Sequence, residues 1–451
     1  MKSSSILAAG AAALLSLAPA QADIVLHFTG STAFRTATVN AIVNVLGGAA
    51  NVKSAFNSST GGNRTASTQC VIQGTHATFG TVTVKCAWSG SAGGVKTIVQ
   101  NLDTLNGWMS VTNLGATNGT DTGVAAPSYT LDFAGTLGES NQADVAMSDA
   151  KQVTTGFTSS SLAETRVGVI PFEWVVGNQS APTDLTPTPP TGSAITNITP
   201  LLAQAILSGG APLSQFTGIP GDVAVPVYAV GRDADSGTRI SCLAETGVGV
   251  FGSVQHIQIA TTGGNAGTAG SKISGFFLWP ASTLLGVAYP IGNGGYSSGG
   301  GVATALATPG STTADTTTGI PADQQVLFGA GQLVGYLGRS DARTATATNV
   351  IVNNNAHRLT FNGVKFWNDP IAANGTPAAY NDNLIQEGIY QGWEYEWLSY
   401  RSTFGTTNAN GKTFTDLVAT RISTVDGVGS GILLTTMNVA KAVEGGVITH
   451  L

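Results

Sequence analysis

Apolar residues along this 451-residue chain gather in short dense blocks, at 24–46, 94–105, 143–178, 198–207, 223–246, 271–285, 302–306, 332–342 and 384–400. Stretches rich in Gly, Thr, Ser and Asn separate them, notably 57–67, 112–128, 179–193, 261–270 and 307–318. The blocks are too short to fold alone, so the polar stretches read as surface loops or insertions and not as linkers between domains. Ile24-Val25-Leu26-His27-Phe28 is a nearly continuous apolar run of the kind a buried strand carries. A Gly-Ser-Thr turn follows it, and then apolar residues at helical spacing over 33–46. Ala143-Asp144-Val145-Ala146-Met147 and the run 225–230 repeat the strand pattern, each ending in a polar loop. The strand–turn–helix rhythm predicts an α/β protein. In such sheets ligands sit beyond the carboxyl ends of the strands, where these polar loops fall.

The first 22 residues carry an early Lys2, an apolar stretch over 6–17 and Ala20-Gln21-Ala22, which fits a small-residue cleavage rule. They predict a Sec-type secretory leader, with the mature chain starting at Asp23. No cysteine follows the cleavage point, so a lipid anchor is not expected, and the expected location is periplasmic or secreted. No later run of about 18 apolar residues predicts a membrane span.

Composition narrows the function classes. Charged residues are 10% of the chain and glycines number 59, with a net charge of −6. A mildly acidic chain with no basic stripe is not built for nucleic acid, and capture of an anion would have to be a local affair. Cys70 and Cys86 flank a segment, 71–85, that alternates like a hairpin, so in an exported protein they are candidates for a disulfide. Cys242 is then a buried thiol; the other pairing, Cys242 with one of those two, stays open. His27, His76, His256, His357 and His450 are scattered without ligand spacing, and no metal or other cofactor is expected. His27, inside the first strand, reads as a packed core residue.

Four segments share one chemistry. They are Gly30-Ser31-Thr32-Ala33-Phe34, Ser89-Gly90-Ser91-Ala92-Gly93-Gly94, Ser148-Asp149, and Arg232 with Ser236-Gly237-Thr238. Three combine hydroxyls and glycines before a helix, where free N–H groups and the positive dipole end favour an anion. Arg232 adds a fork that matches two oxygens of a tetrahedral anion. Taken singly, Gly-Ser-Thr is an ordinary helix cap and Ser-Gly-Thr an ordinary turn; the order of all four at strand ends is what carries weight.

On those residues the chain resembles the phosphate-binding protein family of bacterial ABC uptake systems. The similarity runs through nearly the whole mature chain and includes Val145-Ala146-Met147-Ser148-Asp149, a crossing from Val169 to Asn178, the Arg-x-x-x-Ser-Gly-Thr spacing, Gly335-Tyr336-Leu337-Gly338 and a return segment at Gly388-Ile389-Tyr390. The resemblance implies a two-lobed periplasmic-binding-protein type 2 fold with two hinge crossings and a ligand cleft between the lobes. Lobe one would be 23–177 plus 390–451, and lobe two 178–389. It implies inorganic phosphate, or a similar protonated oxyanion, as ligand, surrounded by Ser31, Thr32, Ala33, Ser91, Asp149, Arg232, Ser236, Gly237 and Thr238. Asp149 would accept the proton of the anion, which fully ionised sulfate lacks. A monomer, and an ABC transporter membrane component as partner, are further expectations, and no catalysis is implied. The return segment departs from the family in reading Tyr390-Gln391-Gly392-Trp393 without a proline.

Competing readings are a structural surface protein that keeps the fold without using the site, and a serine hydrolase. The second rests on Gly295-Tyr296-Ser297-Ser298-Gly299, with His357 downstream, but no buried strand precedes that turn as a nucleophile elbow requires. Asn410-Gly411-Lys412-Thr413 lacks the upstream glycine at the spacing of a P-loop.

Overall fold

The computed structural model describes residues 23–100, 107–132, 142–177, 195–310, 320–326, 331–347 and 356–451. The expected leader, 1–22, and the 179–193 stretch lie outside them. The fold is mixed α/β. Thirteen strands among the described residues build one sheet: β1 (Ile24–Gly30), β2 (Val52–Asn57), β3 (Gln69–His76), β4 (Gly80–Ala87), β5 (Asp121–Val124), β6 (Val145–Ser148), β7 (Leu162–Val176), β8 (Asn197–Ile198), β9 (Ala211–Pro212), β10 (Pro226–Val230), β11 (Gln332–Gly338), β12 (His357–Phe361) and β13 (Trp393–Arg401). The spatial order is β9-β10-β11-β7-β13-β6-β1-β4-β3-β2-β5, with β12 also pairing β7 and β8 pairing β12. The helices that matter for the site are α1 (Arg35–Val45), α2 (Ser91–Gln100), α3 (Pro200–Leu207), α4 (Gly237–Glu245), α5 (Gly299–Ala307), α6 (Arg339–Thr346) and α7 (Ala409–Thr424).

β1 pairs β4 and β6 in parallel, and β10 pairs β11 in parallel. Parallel strands are covered on both faces, which is why 24–28 and 225–230 read as apolar runs. The long strand β7 joins the two parallel sets. Its first part pairs antiparallel with β13, from Leu162 opposite Arg401 to Pro171 opposite Trp393. Its last five residues, Phe172 to Val176, pair with β11. Pro171, which has no N–H to give the ladder, falls where β7 changes partner.

One apolar core runs through both ends of the sheet and includes Leu26, Phe28, Ile42, Val84, Trp174, Val227 and Trp393. A second, with Val230, Phe276, Val302, Leu306 and Leu333, holds α5 against β10 and β11. No helix among the described residues is long and apolar enough to cross a membrane.

Two expectations change here. The stretch 112–128, read as a loop, contributes the edge strand β5, which runs parallel to β2 with Ser54 opposite Asp121. Its sequence, Asp-Thr-Gly-Val, is too short and too polar to signal a strand, and it is the pairing with β2 that makes it one. Cys70 and Cys86 do sit directly opposite one another in the β3–β4 hairpin, yet both are free thiols, as is Cys242. Opposed Cα atoms in an antiparallel pair lie at about 4.5–5.5 Å, within disulfide range. Both side chains are fully buried, however, and burial pushes the Cys86 thiol well up, with Cys70 beside it adding to the shift. Little thiolate, the form that reacts, is then available.

His27 is buried as expected, and its Nδ1 lies 3.2 Å from an Asp144 carboxylate oxygen.

Candidate functional site

The four segments singled out in the sequence come from both sides of the β7–β13 pair and meet. β1 ends at Gly30, whose φ of 107° is open to glycine and strained for other residues. A Cβ there would lie 2.0 Å from the Met147 carbonyl oxygen, so Gly30 brings the first loop against the end of β6. The Ser31 N–H completes that contact by donating to Met147 O at 2.7 Å. β4 leads to Gly90, whose N–H donates to Gly30 O at 3.0 Å, and α2 starts at Ser91. Gly94, in the first turn of α2, has room for no side chain because a Cβ would lie 2.5 Å from the Gly30 Cα. From the other side, β10 runs into Arg232, and Ser236 caps α4 by accepting from the Arg239 N–H at 3.4 Å.

A tight cavity lies at this meeting, its walls drawn together, lined by Thr32, Ala33, Gly90, Ser91, Asp149, Arg232, Ser236, Gly237 and Thr238. Eight of the nine residues expected from the sequence line it. Ser31 does not: it is buried, and its hydroxyl accepts from the Phe34 N–H at 3.4 Å, so it fixes the loop that presents Thr32 and Ala33. Gly90 lines the cavity and was missed, although it stands inside the Ser-Gly-Ser-Ala-Gly segment that the sequence marked.

Asp149 is 2% exposed. The Ser91 hydroxyl donates to its Oδ1, the Thr238 hydroxyl donates to its Oδ2 at 3.4 Å, and the Asp149 N–H donates to Ser91 Oγ at 3.3 Å. Burial raises its pKa above the ordinary carboxylate value, while Ser91, the charge of Arg232 and Thr238 pull it back. Gly237 closes over it: a Cβ at that position would overlap Asp149 Oδ1 at 2.0 Å and approach Ser91 Oγ at 2.7 Å.

Arg232 is 4% exposed and is held from behind. Its Nε donates to Tyr296 O at 3.1 Å and its Nη2 to Ser297 O at 3.0 Å. Those carbonyls belong to the glycine-rich turn before α5, which Ser298 caps by accepting from Gly301 N–H. Arg239, also buried, braces the same turn by donating to the Asn293 carbonyl at 3.1 Å. Two arginines thus turn the Gly-Tyr-Ser-Ser-Gly stretch into a structural support. Ser297 lines the wide cleft beside the small cavity, whereas His357 lines a separate surface pocket with Arg358 and Trp367, so the hydrolase reading finds no nucleophile–base pair there. Lys412 lies inside α7 in an ion pair with Asp416, not in a phosphate loop. Among the described residues no cluster of His, Cys, Asp or Glu could hold a metal ion.

Glu396 is a site neighbour that sequence reasoning missed. It stands on β13 fully buried, and its carboxyl is pushed well above the usual range by burial and then by the charge of Asp149, with Ser31 beside it pulling the other way. A carboxyl raised by folding contributes its stability below its unfolded value and loses it as pH climbs through the folded one. Glu396→Gln keeps the shape and removes the titration. The expected result is a melting temperature near that of the wild type in mild acid and above it by several degrees at pH 9. Parallel melting curves of the two proteins across that range would mean that folding does not raise the Glu396 carboxyl.

No family model matches the chain, and no curated protein does either. Among solved structures the chain is similar to several phosphate receptors of ABC transporters. One is an ABC-type phosphate transport receptor from Vibrio cholerae, at 12% identity and a TM-score of 0.39, covering 90% of this chain and 99% of that one. Another is PstS from Borrelia burgdorferi, at 13% identity and a TM-score of 0.35, covering 91% of this chain and 98% of that one. All these scores lie below 0.5.

Proposed function

We propose that this protein is an exported solute-binding protein that captures inorganic phosphate, or a like protonated oxyanion, between two lobes. The observation that carries the reading is a buried carboxylate, Asp149, sharing one small cavity with a buried guanidinium, Arg232, and with Ser91 and Ser236-Gly237-Thr238 at the first turns of α2 and α4. Burying two charges is costly unless they have partners, and here Ser91, Thr238 and the Tyr296 and Ser297 carbonyls hold the pair in place. A tetrahedral anion would add its oxygens to the Arg232 fork and give its proton to Asp149. Sulfate meets Asp149 with lone pairs only, so the carboxylate excludes it as much as Arg232 attracts phosphate.

In this reading lobe one is 23–177 with 390–451, lobe two is 178–389, and the crossings between them are the segment from Val169 on at the end of β7 and the return segment at 388–390 that leads into β13. The anion is held by helix N-termini from both sides and released when the crossings flex. Such a protein works as a monomer in the periplasm or outside the cell and hands phosphate to a membrane component of an ABC transporter. Capture needs no bond-making side chain, so no catalytic role is assigned.

Calorimetric titration of the mature chain, stripped of ligand, tests this. Phosphate is expected to bind at micromolar concentration or tighter, about −8 kcal/mol or better. A folded sample that takes up no phosphate would turn the reading toward a surface protein that keeps the fold with an idle site.

A further inference from the structure

The N-terminus of α2 is already partly occupied from the other side of the sheet. The Ala92 N–H donates to the Asp235 carbonyl at 3.0 Å, and the Gly93 N–H donates to the Asp235 carboxylate. Asp235 is 7% exposed and sits in the loop between β10 and α4, beyond the β7–β13 pair from α2. The fit around it is steric as well as polar. A Cβ on Gly93 would have as its three nearest neighbours the Asp235 carboxylate atoms, at 2.7, 2.8 and 3.1 Å, and one on Gly90 would meet the same carboxylate at 2.5 Å. Two glycines of α2's approach are therefore matched to one side chain of the opposite half.

We propose that Asp235 is the closure latch of the cleft: it seats on the first turn of α2, takes two of its amides, and so confines the anion to Ser91 on that helix. This rests on the reading of two lobes that open and close. An open helix N-terminus would accept an anion in several poses. With Ala92 and Gly93 taken, the anion is left to Ser91, Asp149, Arg232 and the start of α4, which fixes its place against the discriminating carboxylate. The latch also answers to protons. Burial, then the charge of Asp233, and further the charge of Asp149, push Asp235 up to about 6, while the Gly93 N–H and Arg232 pull it down. The closed state raises this carboxyl, so its contribution to closure is full below the ordinary carboxylate range and is lost as pH rises from there through about 6.

Amide hydrogen exchange of the peptide spanning residues 90–95 in the ligand-free protein reads the latch directly. Asp235→Ala removes the carboxylate from the Gly93 N–H and leaves a backbone carbonyl for Ala92, and it is expected to speed exchange at Gly93 by roughly two- to thirtyfold, the range of a lost helix cap. Gly93 has helical backbone, so Gly93→Ala is compatible with α2 itself; its methyl group is expected to force the loop away and expose the same amides. The decisive comparison is Gly93→Ala placed on Asp235→Ala: with the carboxylate gone, the methyl has room, and the second substitution should add little. Equal effects of Gly93→Ala in both backgrounds, or unchanged exchange in Asp235→Ala, would overturn the latch. Neither readout uses phosphate. A latch without phosphate uptake would sink the proposed function alone, and phosphate uptake without coupling would sink the latch alone.

Discussion

Replacing Arg232 by Ala is expected to abolish phosphate binding in the working range while leaving the fold in place. The guanidinium is buried and lies near four carboxyl groups, those of Asp149, Asp233, Asp235 and Asp341, whose protonation its charge opposes. Truncating one member of a buried charge pair costs about 2–5 kcal/mol, or roughly thirty- to several-thousandfold in Kd. Backbone carbonyls of Tyr296 and Ser297 steady two of the guanidinium nitrogens, so the fork is held in place before any ligand arrives. That pre-organisation is why Arg232→Lys should also fail in part: an ammonium keeps the charge but loses the planar fork that fits two oxygens. Titration calorimetry on both variants, with melting curves to confirm folding, decides it. Wild-type affinity in Arg232→Ala would place the anion elsewhere.

The second large effect concerns selectivity. Asp149→Asn should weaken phosphate about tenfold, because a charge-assisted hydrogen bond becomes a neutral one. It should also strengthen sulfate, because the new amide can donate where the carboxylate could only repel. An unpaired buried polar group costs about 1–3 kcal/mol, so relief of that penalty amounts to roughly ten- to a hundredfold for sulfate. The phosphate-to-sulfate ratio is then expected to fall by two or more orders of magnitude. The quantity to measure is that ratio, by parallel titrations of the two anions against both proteins. A ratio untouched by the substitution would mean that Asp149 plays no part in telling the anions apart.

Most of the site could be read from the chain because its parts are local. Each cavity-lining segment is a strand end, a short loop and a helix start in one continuous stretch, and the four of them in order mark a place that no one of them marks alone. What the chain hides is whatever arrives from far away in sequence. Asp235 stands in an ordinary Asp-Ala-Asp-Ser turn, and only the fold brings it onto α2, more than 140 residues earlier. Glu394 and Glu396 alternate with aromatic residues in Trp-Glu-Tyr-Glu-Trp, the pattern of a strand with one wet face, yet both are buried. Glu394 is compensated by Lys441, which also reaches Glu245 on α4, and Glu396 lies behind Asp149. Two acids on one face of a strand that crosses the middle of the sheet are a signal that could have been used. Ser31 illustrates the opposite failure: three small residues in a row mark a loop, but which of them turns inward depends on where Phe34 and Met147 sit.

Capture of phosphate by these residues requires the anion to lie among them. A crystal structure of the protein grown with phosphate tests this most directly. The expected result is a tetrahedral anion in the cavity between Ser91 and Thr238, with one oxygen facing the Asp149 carboxylate and others on Arg232 and the Gly237 and Thr238 amides. Density for the anion outside that cavity, or an empty cavity at saturating phosphate, would contradict it.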